Sequence, residues 1–197
     1  MARGTSEKHA ALRERLTDIA EARVAEGGLS ALKARDLAKA AECSVGAIYN
    51  VFGDLNALVL AVNGRTFKRI GEKVGAASHA KGLTPEDTLV ALSTAYLHFA
   101  ADNPRLWRAL FDIELTEADD VPEWYLLELK RLFSYIAGPL AKVYPDYSDQ
   151  DIELMTRALF SSVHGIVLLG LEQRISGVPF EKLERMIALV LKNIATR

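Results

Sequence analysis

The chain has little that would supply covalent or catalytic chemistry. It holds one cysteine in 197 residues, Cys43, which excludes an internal disulfide and a thiolate metal site and fits a reducing, cytoplasmic setting. The histidines are four, His9, His79, His98 and His164. None stands at metal-ligand spacing or in a Ser-His-Asp arrangement, and no glycine-rich loop is shaped to cradle a phosphate. No catalytic group, metal or cofactor is therefore expected. Apolar runs are short: the longest, Ile166 to Leu171, falls far below the length of a membrane span. Arg3 and Lys8 are followed by no apolar stretch, so no signal peptide is expected. Alternating Val, Ile and Thr runs bounded by turns are missing, as are repeats and low-complexity segments.

Excess charge of one sign is missing too. The formal net charge is −2, which does not mark a nucleic-acid binder. Its distribution is more informative. Residues 1–75 hold 12 Lys and Arg against 9 Asp and Glu, and residues 76–197 hold 12 against 17. A weakly basic head precedes an acidic body. An imbalance this small argues against binding by charge alone and for salt-sensitive phosphate contacts in one patch.

Half of the residues are hydrophobic, and their spacing is helical throughout. The first helix is expected from about Glu7 to Glu26, with Leu12, Leu16, Ile19, Ala20 and Val24 on one face, stopping at Gly27-Gly28. A helix over about 55–77 carries Leu58, Val62, Phe67 and Ile70 inward. Near 78–83 the pattern breaks. Thr84-Pro85-Glu86-Asp87 then opens a helix, with Thr84 as N-cap and Asp87 placed as the acid of a capping box. Asn103-Pro104 is read as the cap of a short helix. Residues 116–121 read as an exposed acidic loop. Pro122 opens a helix to about Ala137, ended by Gly138-Pro139. Ser148 and Asp151 form a second capping box and open a helix to about Ser176. A last helix follows Gly177-Val178-Pro179. The fold class is all-α, with about nine helices.

The most informative stretch is Ala34 to Phe52. It reads as two short helices around a tight turn at Glu42-Cys43. The first carries Leu37, Ala38 and Ala41 inward. Ser44 is a suitable N-cap for the second, which runs from Val45 to about Val51 and starts with small residues. Such an N-terminus approaches a surface closely and favours anions. Two helices with this turn match a helix-turn-helix, whose second helix enters the DNA major groove; the same pattern also occurs in helical proteins that never meet DNA.

The flanking residues extend the match. Ile19-Ala20, Glu26-Gly27-Gly28, Leu37-Ala38, Ser44-Val45-Gly46-Ala47-Ile48-Tyr49, Phe52 and Leu58 together resemble the N-terminal domain of the TetR family of transcriptional repressors. The likeness covers about fifty contiguous positions, Leu16 to Leu58. It departs from the family in three places. Lys33 stands where Ser or Thr caps the first motif helix. Glu42 replaces the usual turn glycine, so either the turn avoids a positive φ or Glu42 carries backbone strain. Leu55 replaces a phosphate-binding Lys, a charge that Lys33 and Arg35 can supply. The resemblance implies a DNA-binding head over 1–54, a linking helix over 55–77 and a ligand-binding and dimerisation body over 78–197. The residues expected at DNA are Lys33, Arg35, Ser44, Val45, Gly46, Ala47, Tyr49 and Asn50.

A second, weaker echo lies in the body. Tyr96-Leu97-His98-Phe99-Ala100, Asn103-Pro104-Arg105-Leu106 and Val163-His164-Gly165 resemble a class of TetR C-terminal domains named for a Trp-His-Gly motif, with Val163 at the Trp position. The body is rich in aromatic side chains. They fill a core, or they wall an apolar cavity with a few polar groups; the resemblance favours a cavity for a small apolar effector. Its expected contributors are Tyr96, Phe99, Trp107, Phe111, Trp124, Phe133 and His164, although a lone histidine such as His98 or His164 is more often a hydrogen-bonded core residue. The last two long helices carry more apolar surface than one small domain covers. Ser161, Gly165, Leu168, Leu183, Ile187 and Val190 are expected in a four-helix interface about a twofold axis. The reading is a dimeric, ligand-responsive repressor of a twofold operator on double-stranded DNA. The rival reading, a helical enzyme or protein-interaction module with a degenerate head, is opposed by the lack of a catalytic constellation.

Overall fold

A computed structural model describes residues 2–79, 82–113, 121–172 and 177–195. Among them are nine α-helices and no strand. In chain order they are α1 (Ala2–Gly27), α2 (Ala34–Ala40), α3 (Val45–Phe52), α4 (Leu55–Ser78), α5 (Pro85–Asp102), α6 (Pro104–Asp112), α7 (Glu123–Val143), α8 (Asp149–Leu171) and α9 (Phe180–Ala195), with one 3₁₀ turn at Leu29–Ala31. The acidic loop expected at 116–121 lies outside the described residues except for Val121, as does the stretch up to Ser176.

Capping residues set most boundaries where the local sequence places them. The Thr84 hydroxyl accepts from Asp87 N at 3.1 Å, and the Ser148 hydroxyl accepts from Asp151 N at 3.2 Å. Asp54, unremarked as a cap in the sequence, takes Ala57 N on Oδ1 at 2.7 Å and starts α4. Asn103 holds the N-cap position of α6 as expected; its side chain makes no cap bond, and its carbonyl accepts from Trp107 N at 2.9 Å. The expected stop at Gly138-Pro139 is also corrected, because α7 runs through both to Val143. Pro139 removes one N–H from the ladder at a cost of about 3 kcal/mol. The fully buried Leu140 and the bond from Tyr144 N to Leu140 O, 2.9 Å, hold the last turn against that cost.

Packing divides the chain into two compact units, residues Met1–Phe67 with Asn103–Leu126, and Lys68–Asp102 with Leu127–Arg197. These units cut across the sequence segments, since 103–126 packs with the head. The core of the first unit joins Leu16, Ala20 and Val24 of α1 to Leu37 and Ala38 of α2, Ile48 and Phe52 of α3, Leu58 and Val62 of α4, and Leu106 and Ala109 of α6. Sequence adjacency assigned α6 to the body. Its stripe of Leu106, Ala109 and Leu110 finds its partner on α1 instead. Asn63, fully buried on α4, donates from Nδ2 to Ala109 O at 3.0 Å and satisfies a carbonyl of the last α6 turn. Arg65, also on α4, reaches three acids of α1: Asp18 at 2.6 Å, Glu21 at 3.0 Å, and Glu14. Burial opposes its charge, but the bonds to Asp18, Glu21 and Glu14 outweigh that, so its pKa is raised.

The second unit is built on α8. Its inner face, Ile152, Thr156, Leu159, Val163 and Val167, is buried, and α8 packs against α5 and α9. Gly170 admits Leu183 of α9: a Cβ there would lie 2.5 Å from Leu183 Cδ2. The other face of α8 is also apolar, with Leu154 60% and Leu169 55% exposed. With two apolar faces, α8 has the length and composition of a helix able to cross a membrane, although its longest unbroken apolar run is short. It is the one such single helix among the described residues.

The Glu42 alternative is resolved toward strain, with φ at 50°. The residue closes α2 in a Schellman arrangement: Cys43 N donates to Ala38 O at 2.9 Å and Glu42 N to Lys39 O at 3.3 Å. An L-residue there costs about 1–2 kcal/mol. Glu42→Gly should raise stability by about 0.5–1 kcal/mol once the added freedom of the unfolded chain is subtracted. Thermal unfolding should show a midpoint higher by a few degrees; an unchanged or lower midpoint would count against strain at this turn.

Candidate nucleic-acid interface

The eight residues of α3 are too few to be stable alone. Their helix is held at both ends and along one side. At the start, the Ser44 hydroxyl accepts from Ala47 N at 3.2 Å. Along the inner side, Ile48 is fully buried and Phe52 is 7% exposed. At the end, Gly53 takes φ 81°, and its N–H donates to Tyr49 O at 2.8 Å. That conformation favours glycine.

The opposite side of α3 is open. Val45 is 36% and Tyr49 43% exposed, with Gly46 and Asn50 also exposed and Ala47 half-buried. Lys33, Arg35 and Lys39 are exposed on and before α2. Lys33 occupies the N-cap position of α2 without a side-chain cap bond. This places every expected DNA residue in the α2–α3 segment and away from its buried side. Ser44 has a structural task as cap, and its hydroxyl proton remains available to donate. Cys43 packs against the head core. The chemistry on offer is one amide able to pair both donor and acceptor sites of a base edge, small residues that allow close approach, a phenol, and flanking cations for phosphates.

The expected effector residues divide between the two units. Trp107, Phe111 and Trp124 belong to the first. Trp107 is buried and meets Phe111 edge-on at 5.5 Å, while Phe111 is 43% exposed. Trp124 lies over Gly64, where a Cβ would come within 2.7 Å of its ring. Tyr96, Phe99, Phe133 and His164 belong to the second. There the Tyr96 hydroxyl bonds His164 Nδ1 at 3.0 Å. Phe160, which sequence reasoning passed over, organises the group: it stacks on His164 at 5.6 Å and meets Tyr96 and Phe133 edge-on at 5.9 and 5.3 Å. Its spacing of four residues before His164 on one helix was the available signal. Phe99 is buried on α5. His98 pairs with Glu184 of α9 at 2.6 Å. Among the described residues no group of acids, histidines or cysteines is arranged to hold a metal.

The expected interface residues divide by helix phase. Ser161 is exposed, Gly165, Leu168 and Val190 are partly exposed, and a Cβ on Gly165 would touch nothing. Leu183 and Ile187, by contrast, are 1% and 0% exposed within the chain itself. They are corrected to core residues, because α9 turns that side inward, where Leu183 meets Gly170 of α8. The open side of α9 carries Leu189, 53% exposed, instead.

Residues 16–62 match the family described as bacterial regulatory proteins, tetR family, and residues 89–194 match the tetracyclin repressor-like C-terminal domain. No curated protein matches the chain. Among solved structures, a protein of unknown function from Rhodococcus sp. RHA1 superposes with TM-score 0.74 at 21% identity, covering 92% of this chain and 94% of that one. RolR in complex with resorcinol gives 0.68 at 19%, covering 98% and 96%. The TetR family regulator PfmR from Thermus thermophilus gives 0.57 at 17%, covering 91% and 96%. These likenesses are of fold. The two family matches, with a helix-turn-helix whose outer side is free, place the chain in the tetR family of bacterial regulatory proteins: it is a DNA-binding transcriptional regulator.

Proposed function

We propose that the protein is a cytoplasmic repressor, not an enzyme, that binds a twofold DNA site as a homodimer and leaves it when the body takes up a small apolar effector. In this reading 1–54 is the DNA-binding part, 55–77 the linking helix, and 78–197 the ligand-binding and dimerising part. The observation that carries it is α3, with its inner side sealed by Ile48 and Phe52 and its outer side presenting Tyr49 and Asn50. Lys33, Arg35 and Tyr49 meet phosphates; Val45, Gly46, Ala47 and Asn50 face base edges. Tyr49→Ala should weaken binding to every duplex alike. Asn50→Ala should relax preference at one base pair by about 1–3 kcal/mol. Titrations on a duplex selected from a random pool by the wild-type protein, and on its scrambled counterpart, separate the two effects. Full affinity and discrimination in both variants would refute the assignment.

The dimer face is the outer side of α8 and α9: Leu154, Ala158, Ser161, Gly165 and Leu169, with Leu189 and Val190. Small residues at the middle of α8 let a second copy of that helix come close, and the leucines supply apolar area on either side. Leu169→Glu would bury a charge without a partner, at a cost of about 3–5 kcal/mol. Sedimentation at micromolar concentration should show a dimer for the native protein and a monomer for the variant, whose affinity for a twofold site falls with it. A native monomer would overturn this face and the twofold site together.

The effector is a small, mostly apolar molecule, in keeping with the aromatic side chains of the body and the Tyr96–His164 polar pair. RolR, of similar fold, binds resorcinol, an aromatic ring with hydroxyl groups. An effector can release DNA only by binding the two states of the protein unequally, by a factor of about 5–150 in typical cases. The coupling is reciprocal. Saturating selected duplex should lower effector affinity by the same factor, read from the fluorescence of Trp107 and Trp124. Equal affinity with and without duplex would remove the effector from the mechanism.

A further inference from the structure

The open end of the recognition helix is held by a residue of another helix. Arg13, in the fourth turn of α1 as it enters the head core, sends Nη1 to Val51 O at 3.2 Å across thirty-eight residues of sequence. Its guanidinium carbon lies 4.3 Å from the centre of the Phe52 ring. Val51 O is among the last four carbonyls of α3, which the helix itself cannot satisfy. A cation at that end also complements the helix dipole. Arg13 thus makes two contacts with different effects. The hydrogen bond holds the last turn against unwinding, and the cation over the ring holds α3 against rolling about Phe52.

The platform that presents Arg13 is itself fixed. Thr17, one turn on and 3% exposed, returns its hydroxyl to Arg13 O at 2.8 Å. Arg65 of α4 holds Glu14, Asp18 and Glu21 on the same helix. The side chain directed at Val51 is partly buried, whereas Lys33, Arg35 and Lys39 are exposed. The head therefore uses its cations in two ways.

We infer that Arg13 is a positioning residue for base readout: it fixes the rotation and the last turn of α3, and so the aim of Asn50, without itself touching DNA. The inference rests on α3 being the helix that reads bases. Its consequence differs from that of a phosphate contact. A lost phosphate contact weakens all DNA and flattens the salt dependence by about one unit of slope. A lost positioning residue leaves affinity for unrelated DNA and the salt slope alone and reduces discrimination.

The test compares Arg13→Met, which keeps the apolar stem without a donor, and Arg13→Lys, which keeps one donor and the charge without the planar fork. Each is titrated against the selected duplex and a scrambled duplex across a range of salt, with Asn50→Ala in parallel. Arg13→Met is expected to lose about tenfold in discrimination, the loss of one charge-assisted hydrogen bond, with scrambled-duplex affinity and salt slope unchanged; Arg13→Lys recovers part of it. If Arg13→Met does not fold, Arg13→Lys alone must still lose discrimination at constant salt slope. Equal weakening on both duplexes with a shallower slope would make Arg13 a phosphate contact and overturn the inference. So would unchanged discrimination in both Arg13 variants while Asn50→Ala relaxes it. If Asn50→Ala leaves discrimination intact as well, the recognition-helix reading itself fails.

Discussion

Everything this protein does with DNA depends on burying one side of a helix too short to exist by itself. Eight residues span only about 12 Å, and an isolated helix of that length is unfolded in water. Burial of Ile48 and Phe52 in one core with Leu16, Ala20 and Leu37 supplies what the backbone cannot. The outer side is then free to carry residues chosen for chemistry rather than stability. The Ser44 cap, the Gly53 exit and the Arg13 contact refine a placement that the core has already made.

The same core extends further than a free-standing head would require. By packing, α6 belongs with α1 and α4, joined through Leu106, Ala109 and the Asn63 bond to Ala109 O. A buried polar bond of this kind is specific in direction as well as in partner, since a shifted α6 would leave the Asn63 amide buried without its acceptor. The helix that bears Asn63 starts at Leu55, separated from the end of α3 by only Gly53 and Asp54. Packing in the first unit therefore reaches from α3 to α6 without a break in the core.

The second unit poses the opposite problem, too much apolar surface. One side of α8 is covered within the chain, while Leu154 and Leu169 remain exposed beside the short side chains of Ala158, Ser161 and Gly165. An exposed apolar stripe broken by small residues is costly in water and well shaped for a second helix. Helix phase, rather than hydrophobicity, separates core from free face: Leu183 and Leu189 are equally apolar, and only the former is buried.

Local sequence determined the elements. Period and capping chemistry placed the starts at Ser44, Thr84 and Ser148, because an N-cap is satisfied by atoms three residues away. The helix-turn-helix was legible for the same reason, down to the open question at Glu42. What only the tertiary structure decided involves partners distant in sequence. Gly138-Pro139 reads as a stop until Leu140 has a core to enter. The pairing of α6 with α1 and of Arg13 with Val51 spans gaps over which a periodic pattern carries no information. Leu183 and Ile187 look like interface residues until α9 chooses which side to turn inward, and Phe160 gains its importance only when α5 and α7 bring Tyr96 and Phe133 to it. Local chemistry acts over one turn of helix and can be read from the chain; the choice among equally apolar faces is made by the packing of the whole.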